Sequence, residues 1–229
     1  MTSDLRRQLI LGAAKRCFAR YGYAGTTTKS VAAAAAISEA LLFKHFPSKA
    51  ALYAEILAEE CEADPDLEFL LGQAPSTATL VRFTVAMVEH FLGIANRPNE
   101  EEEQRLRLMV TSHLDDGEFA RLLYAKVSGL IGGKFVASLE SAIAAGDAVR
   151  MDAAPLDLFW FAHHTGMTAA LTRLPATPCL NYETGADRLV RQLSEFILRG
   201  IGLTDAAIAS YLDRELAQPS VPPVTAESA

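Results

Sequence analysis

Apolar residues recur at three- and four-residue intervals along most of the chain, the repeat of a helix with one buried face. Strictly alternating segments are nearly absent, and Ala, Leu, Glu and Arg, all good helix formers, dominate. The pattern predicts an all-α protein. A first helix is expected over residues 4–21, with Ile10, Ala14, Cys17, Phe18 and Tyr21 on one side and Gly22 stopping it. Two short helices follow at 29–35 and 39–45. Pro47 and Ser48 then break the chain, and a fourth helix runs from Lys49 to about Cys61. The run Glu62-Ala63-Asp64-Pro65-Asp66 reads as a helix stop and a domain boundary.

Longer helices are expected beyond that point, at 77–96, 100–114, 116–145, 155–174, 183–203 and 205–216. The third of these contains Gly129, Gly132 and Gly133, each costing about 1 kcal/mol relative to Ala in a helix, so a kink or break is expected there. The domain reading is therefore a head at 1–63, a larger helical body at 64–217, and a Pro/Ser/Thr/Glu tail at 218–229 with a disordered composition.

Composition narrows the function. Half of the residues are hydrophobic, which supports a substantial core. No uninterrupted apolar run approaches the ~18 to 20 residues of a membrane span. The N-terminal Asp4, Arg6 and Arg7 lead into a polar helix without the features of a secretory signal. Cys17, Cys61 and Cys179 are far apart, so neither a disulfide framework nor a cysteine metal site is suggested, and a reducing, cytoplasmic setting is expected. The net charge of −7 argues against nucleic acid, but its distribution argues for it. Residues 1–55 carry eight Lys/Arg against three acids, a net of +5, which leaves −12 for the remainder. A basic module on an acidic body suits a protein that touches phosphate with one end.

The chemistry concentrates between Gly22 and Lys49. Thr27 is a good N-cap for the second helix, and Val31 with the following alanines lets a neighbour approach closely. Ile37 can plug the core and Ser38 can cap the third helix. Leu41 or Leu42 and Phe46 then pack inward and leave Glu39, Ala40, Phe43, Lys44 and His45 outside. A short helix with small and basic residues can enter a major groove and meet base edges. Thr27, Thr28, Lys29 and Lys49 lie at or near helix starts, where phosphates are gripped.

With those residues in place, the segment resembles the DNA-binding domain of the TetR (tetracycline-repressor-like) family. Phe18, Gly22, Tyr23, Thr26, Thr27, Val31, Ala32, Ile37, Ser38, Leu42, His45, Phe46, Ser48, Lys49 and Leu52 fall in step with that family's pattern, over about a fifth of the chain. Three positions depart from it. Ala36 stands where a turn glycine is usual, so the turn must avoid a positive φ or carry strain. Phe43 replaces a tyrosine. Glu39 replaces a frequent lysine, and either accepts from a cytosine amino group or favours the helix N-terminus.

The resemblance implies about nine or ten helices: a three-helix helix-turn-helix head, a linking helix, and a ligand-binding body whose last two long helices pair across a two-fold axis. Ala162, Gly166, Ala169 and Ala170 form a small-residue stripe, and Leu189, Leu193, Phe196, Ile197 and Gly200 an apolar one, suited to a four-helix dimer interface. Alternatively, both stripes face the chain's own core. The implied effector pocket draws on Phe83, Met87, Phe91, Met109, His113, Leu123, Phe135, Trp160, His163 and Met167. Such a set suits a largely apolar ligand, although a Met or aromatic stripe equally serves as core.

No phosphate loop, metal-spaced histidine set or nucleophilic constellation is recognisable, so neither enzymatic activity, a cofactor nor a metal is expected. The expected partners are an operator in double-stranded DNA, a small-molecule effector and a second copy of the chain; the acidic body disfavours anionic membranes, and no membrane partner is expected. The resulting expectation is a transcriptional regulator, in the first place a repressor, released from its operator by ligand. The rival is a helical small-molecule-binding or protein-interaction module without specific DNA reading.

Overall fold

In the computed structural model, the Thr2 hydroxyl accepts from the Leu5 N–H and opens α1 (Ser3–Gly25). The structure describes residues 2–62, 64–96, 100–175 and 177–217; the expected tail at 218–229 and the side chain of Cys61 lie outside the described residues. Helix α1 ends in effect at Tyr21, because Gly22 takes φ 65° and ψ 178°, a conformation that a Cβ opposes. Then come α2 (Thr28–Ala34), α3 (Glu39–His45) and α4 (Lys49–Glu62). The expected helix stop is found, since α4 ends at Glu62, but Pro65 also opens a helix that was not expected, α5 (Pro65–Gly72). Proline is pre-organised for a first helical position, and Asp66 and Glu68 favour the positive end of the helix dipole.

Next are α6 (Thr77–Asn96), α7 (Glu100–Leu114) and α8 (Glu118–Val127). A π-helical turn, Ser128–Gly132, leads into α9 (Gly133–Ala144), so the glycine-rich stretch does interrupt the α-helix. Helices α10 (Pro155–Leu171), α11 (Ala186–Gly200) and α12 (Asp205–Leu216) complete the described chain. Its only bridge of β type, among the described residues, joins Ala148 to Leu203. By length and composition the run Glu118–Ala144 passes for a membrane span. Two of its phenylalanines, Phe119 and Phe135, are nevertheless buried against protein rings.

The chain forms two compact units. The first comprises Met1–Asp64 and Asn99–Leu130, so α7 and α8 belong with the head helices and this unit extends beyond residues 1–63. Its core joins Ile10, Leu11 and Phe18 of α1 to Val31, Leu42, Leu52 and Phe119. Helix α8 packs along α4, with Phe119 and Tyr53 in ring contact at 5.7 Å. The Glu55 carboxylate bridges Arg7 of α1 (2.7 Å) and Lys126 of α8. Burial alone would raise the Glu55 pKa, and its bonds to Lys126 and Arg7 outweigh that and hold it below the usual value.

The second unit comprises Pro65–Pro98 and Ile131–Ala229. Helix α6 lies at its centre, in contact with α9, α10, α11 and α12, which is why Leu80, Val81, Val88 and Leu92 are buried. Arg82 grips Glu215 of α12 through both carboxylate oxygens, at 2.9 and 3.1 Å. Gly202, at φ 101°, lets the α11–α12 turn meet the segment before α10: a Cβ there would lie 2.5 Å from the Val149 carbonyl oxygen. The Val149 N–H donates to the Gly202 carbonyl at 2.8 Å across that contact.

Candidate nucleic-acid interface

Local hydrogen bonds build the α2–turn–α3 unit from its own sequence. The Thr27 hydroxyl accepts from the Ser30 N–H at 3.0 Å while the Thr27 N–H donates to the Ser30 hydroxyl at 3.1 Å, a reciprocal box that opens α2. At its other end Ala36 N–H donates to Ala33 and Ile37 N–H to Ala32, closing a two-bond left-handed cap. That cap requires positive φ at Ala36, and φ is 53°. The turn therefore keeps the backbone shape a glycine would give and bears the cost of a Cβ in it, about 1 kcal/mol or more. Ser38 then caps α3 by accepting from the Leu41 N–H at 3.2 Å.

Leu42 and Phe46 face inward, and Arg7 stacks over the Phe46 ring at 4.8 Å. On the opposite side of α3, Ala40, Phe43 and Lys44 are exposed at i, i+3 and i+4 and form one face; His45 is half-buried beside it. Thr27, Lys29 and Ser38 are exposed near the two helix starts. The face is small and apolar at Ala40, apolar at Phe43 and cationic at Lys44, a combination that can meet thymine methyls and phosphate or guanine acceptors.

Three expected DNA contacts have other engagements. Thr28 donates its hydroxyl to the Glu39 carboxylate, which ties the start of α2 to the start of α3. Neither use foreseen for Glu39 included this bond. Lys49 donates to the carbonyls of Tyr23 (3.0 Å) and Thr26 (3.2 Å) and lies over the Tyr23 ring. Two of its three donors thus hold the α1–α2 connection, and burial pushes its pKa down. The backbone carbonyls that engage Lys49 have no side-chain signature, so sequence spacing gave no sign of this clasp.

The candidate effector residues divide between the units. Met109, His113 and Leu123 belong to the first, where His113 Nδ1 lies 2.7 Å from the Met109 carbonyl oxygen and Nε2 lies 3.2 Å from the Tyr124 hydroxyl. The other seven belong to the second. There Phe83, Phe91 and Phe135 are buried, and Met87, Trp160, His163 and Met167 are half-buried. His163 meets Phe91 edge-on at 5.0 Å and Trp160 at 5.4 Å. Burial, then the neighbouring His164 and His90, lower the His163 pKa to about 4, so its imidazole is neutral at pH 7.

Most of the residues expected at a dimer interface are covered within their own unit. Ala162, Gly166, Ala169 and Ala170 are buried in their own unit, where Gly166 admits α6 so closely that a Cβ would lie 2.8 Å from the Phe91 ring. Leu189 and Ile197 are buried as well, and Leu193 is half-buried. Small residues were needed for α10 to pack on α6. Of the expected stripes, only Phe196 (66% exposed) and Gly200 face solvent; Phe161, on α10, is 61% exposed and was not anticipated.

Residues 10–56, the span that holds α2, the turn and α3, match the model of the bacterial regulatory proteins of the tetR family. This segment belongs to that family. The tetR-type segment is also what two curated relatives share with the chain. The HTH-type transcriptional repressor Rv1474c of Mycobacterium tuberculosis is 40% identical over 57 residues, and the HTH-type transcriptional repressor AcnR of Corynebacterium diphtheriae is 38% identical over 57. Each match covers 25% of this chain, and the chain spans 30% of the length of those relatives.

The fold is shared more widely than the tetR-type segment. RolR, in complex with its ligand resorcinol, superposes with a TM-score of 0.57 at 12% identity, over 94% of this chain and 95% of its own. GusR of Salmonella enterica does so with a TM-score of 0.50 at 20% identity, over 88% and 97%.

Proposed function

We propose that the protein is a sequence-specific DNA-binding transcriptional regulator, acting as a homodimeric repressor that a small, largely apolar molecule releases from its operator. The observation that carries the reading is the exposed Ala40–Phe43–Lys44 face, held on a helix capped at its start, inside a segment of the tetR family. Thr27 and Lys29 flank it as phosphate contacts, with Ser38 at the start of α3. Lys49, Thr28 and Glu39 act as positioning residues that hold α2 and α3 to the rest of the head.

Dimerisation is assigned to the exposed Phe161 of α10 and Phe196 of α11, two helices that pack against each other. Two large exposed aromatics on adjoining helices favour a self-complementary, two-fold contact. The effector is assigned to the cluster of Met87, Phe91, Trp160, His163 and Met167, whose neutral imidazole can orient a polar group on an apolar molecule. Resorcinol, the ligand of RolR, is an aromatic molecule with hydroxyls, a chemistry this cluster would accept. A protein with this role works where the DNA is, in the cytoplasm of a bacterial cell.

Selection of bound fragments from a random duplex pool, at two salt concentrations, tests the reading. The expected product is a two-fold-symmetric site with half-sites about one helical turn of DNA apart, retained at the higher salt. Recovery of only salt-sensitive, sequence-independent binding favours the rival, a helical module that reads no sequence.

A further inference from the structure

A half-open cleft of about 1020 Å³ lies within the first unit. The end of α1, the entry to α2, the first turns of α4, and the facing ends of α7 and α8 enclose it. Its inner wall is aromatic: Tyr23 stacks on Phe18 with ring centroids 5.9 Å apart, and Tyr53 tilts against both Tyr23 (5.2 Å) and Phe119 (5.7 Å). Tyr21 continues this wall to the surface, 51% exposed.

The wall already carries one cation. The Lys49 ammonium stands 4.1 Å from the Tyr23 ring centroid, the geometry of a cation–π contact. Acids form the mouth. Asp115 and Asp116 are exposed and Glu118 is half-buried, and the carboxylates of Asp115 and Glu118 make no ion pair among the described residues. Asp116 accepts from the Glu118 N–H at 2.8 Å, which fixes the acids together at the start of α8. The nearby cations are engaged: Lys49 by two carbonyls, Arg121 by the Asp116 carbonyl at 2.8 Å, and Arg20 over the Tyr21 ring. Arg107 lines the cleft two helical turns before Asp115, about 12 Å away along α7. Burial, and after it the neighbouring Glu118 and Asp116, raise the Tyr23 pKa.

We propose that this cleft binds an organic cation with an aromatic or apolar body, the charge held by Asp115, Asp116 and Glu118 and the body laid on the Tyr21–Tyr23 wall. The site belongs to the first unit, whereas the aromatic cluster assigned to the effector belongs to the second, and it goes beyond the proposed function. Because Tyr23 and Lys49 also fix the α1–α2 connection, an occupant would touch the scaffold of the reading helix directly.

The test uses the full chain without DNA, so it stands or falls independently of operator recognition. The protein is labelled with fluorotyrosine, and its six tyrosines are assigned by single Tyr→Phe changes. Benzyltrimethylammonium is titrated as the cationic probe, with benzyl alcohol and benzenesulfonate as neutral and anionic counterparts. Saturable shifts at Tyr21 and Tyr23 are expected with the cation alone. The paired change Asp115→Asn with Glu118→Gln should weaken its binding about 3- to 10-fold without altering the circular dichroism spectrum. The proposal is overturned by equal or tighter binding of benzenesulfonate, by cation binding indifferent to the paired change, or by no saturable shift in the millimolar range.

Discussion

The Lys49 ammonium donates to the Tyr23 carbonyl at 3.0 Å while standing 4.1 Å from the centre of the same residue's ring. One side chain thus clamps both the backbone and the aromatic body of the residue that follows the Gly22 bend. A lysine at a helix start, which looks from its position like a phosphate anchor, is here a structural clasp.

Replacement should separate that role from true DNA contact. Lys49→Met leaves two part-buried carbonyls without a charged donor and should cost roughly 1 to 3 kcal/mol in urea unfolding. Lys44→Ala should leave stability unchanged. In operator binding, Lys44→Ala should flatten the plot of log affinity against log salt by about one unit, whereas Lys49→Met should leave the slope as it was. An unchanged slope for Lys44→Ala would remove that residue from the phosphate contacts.

The turn before the reading helix carries removable strain. Ala36 holds φ 53°, where glycine has no Cβ to clash, so Ala36→Gly should stabilise the protein by about 0.5 kcal/mol once glycine's greater unfolded-state entropy is set against the strain relieved. A rise in thermal midpoint with unchanged operator affinity is the expected result. A fall in both would mean that the Ala36 methyl makes a contact worth more than the strain.

Acid should weaken the second unit through His163. Its folded pKa, about 4, lies below the usual 6.5, so the unfolded chain binds the extra proton first. This contribution to stability is intact above pH 6.5 and is lost as pH falls through 6.5 toward 4, by about 3 kcal/mol in all. Urea unfolding of the protein and of His163→Gln across that window should show a shallower pH dependence in the variant. Parallel curves would assign the loss to other groups.

The exposed and buried parts of α10 should respond differently to mutation. Phe161→Asp with Phe196→Asp should shift sedimentation toward a monomer while the fold survives, since both rings face solvent in the single chain. Gly166→Ala should instead destabilise the fold by about 1 to 3 kcal/mol by pressing on Phe91, with assembly lost only as far as folding is. Dissociation by Gly166→Ala at full stability would return the small-residue stripe to the interface.

What the sequence by itself determined is what depends on residues close along the chain. Caps at Thr27 and Ser38, the breaks at Gly22 and Pro47, the span 77–96 and the interruption near Gly129 all follow from local hydrogen bonding, backbone sterics and a 3.6-residue period. So does the inward position of Leu42 and Phe46 on α3. The stop after Glu62 was equally legible, but not that Pro65 opens α5 directly behind it.

Only the tertiary structure decided which helix each buried face meets. The stripe at Ala162 and Gly166 satisfies the same periodicity whether it packs on α6 or on another copy; the Phe91 ring against Gly166 selected α6. The packing of α7 and α8 with the head, the Glu55 bridge to Arg7 and Lys126, and the cleft at Tyr23 bring together residues up to about a hundred positions apart. Periodicity marks the face a helix buries but carries no information about its partner, because apolar attraction is non-directional and the choice rests on the fit of particular side chains.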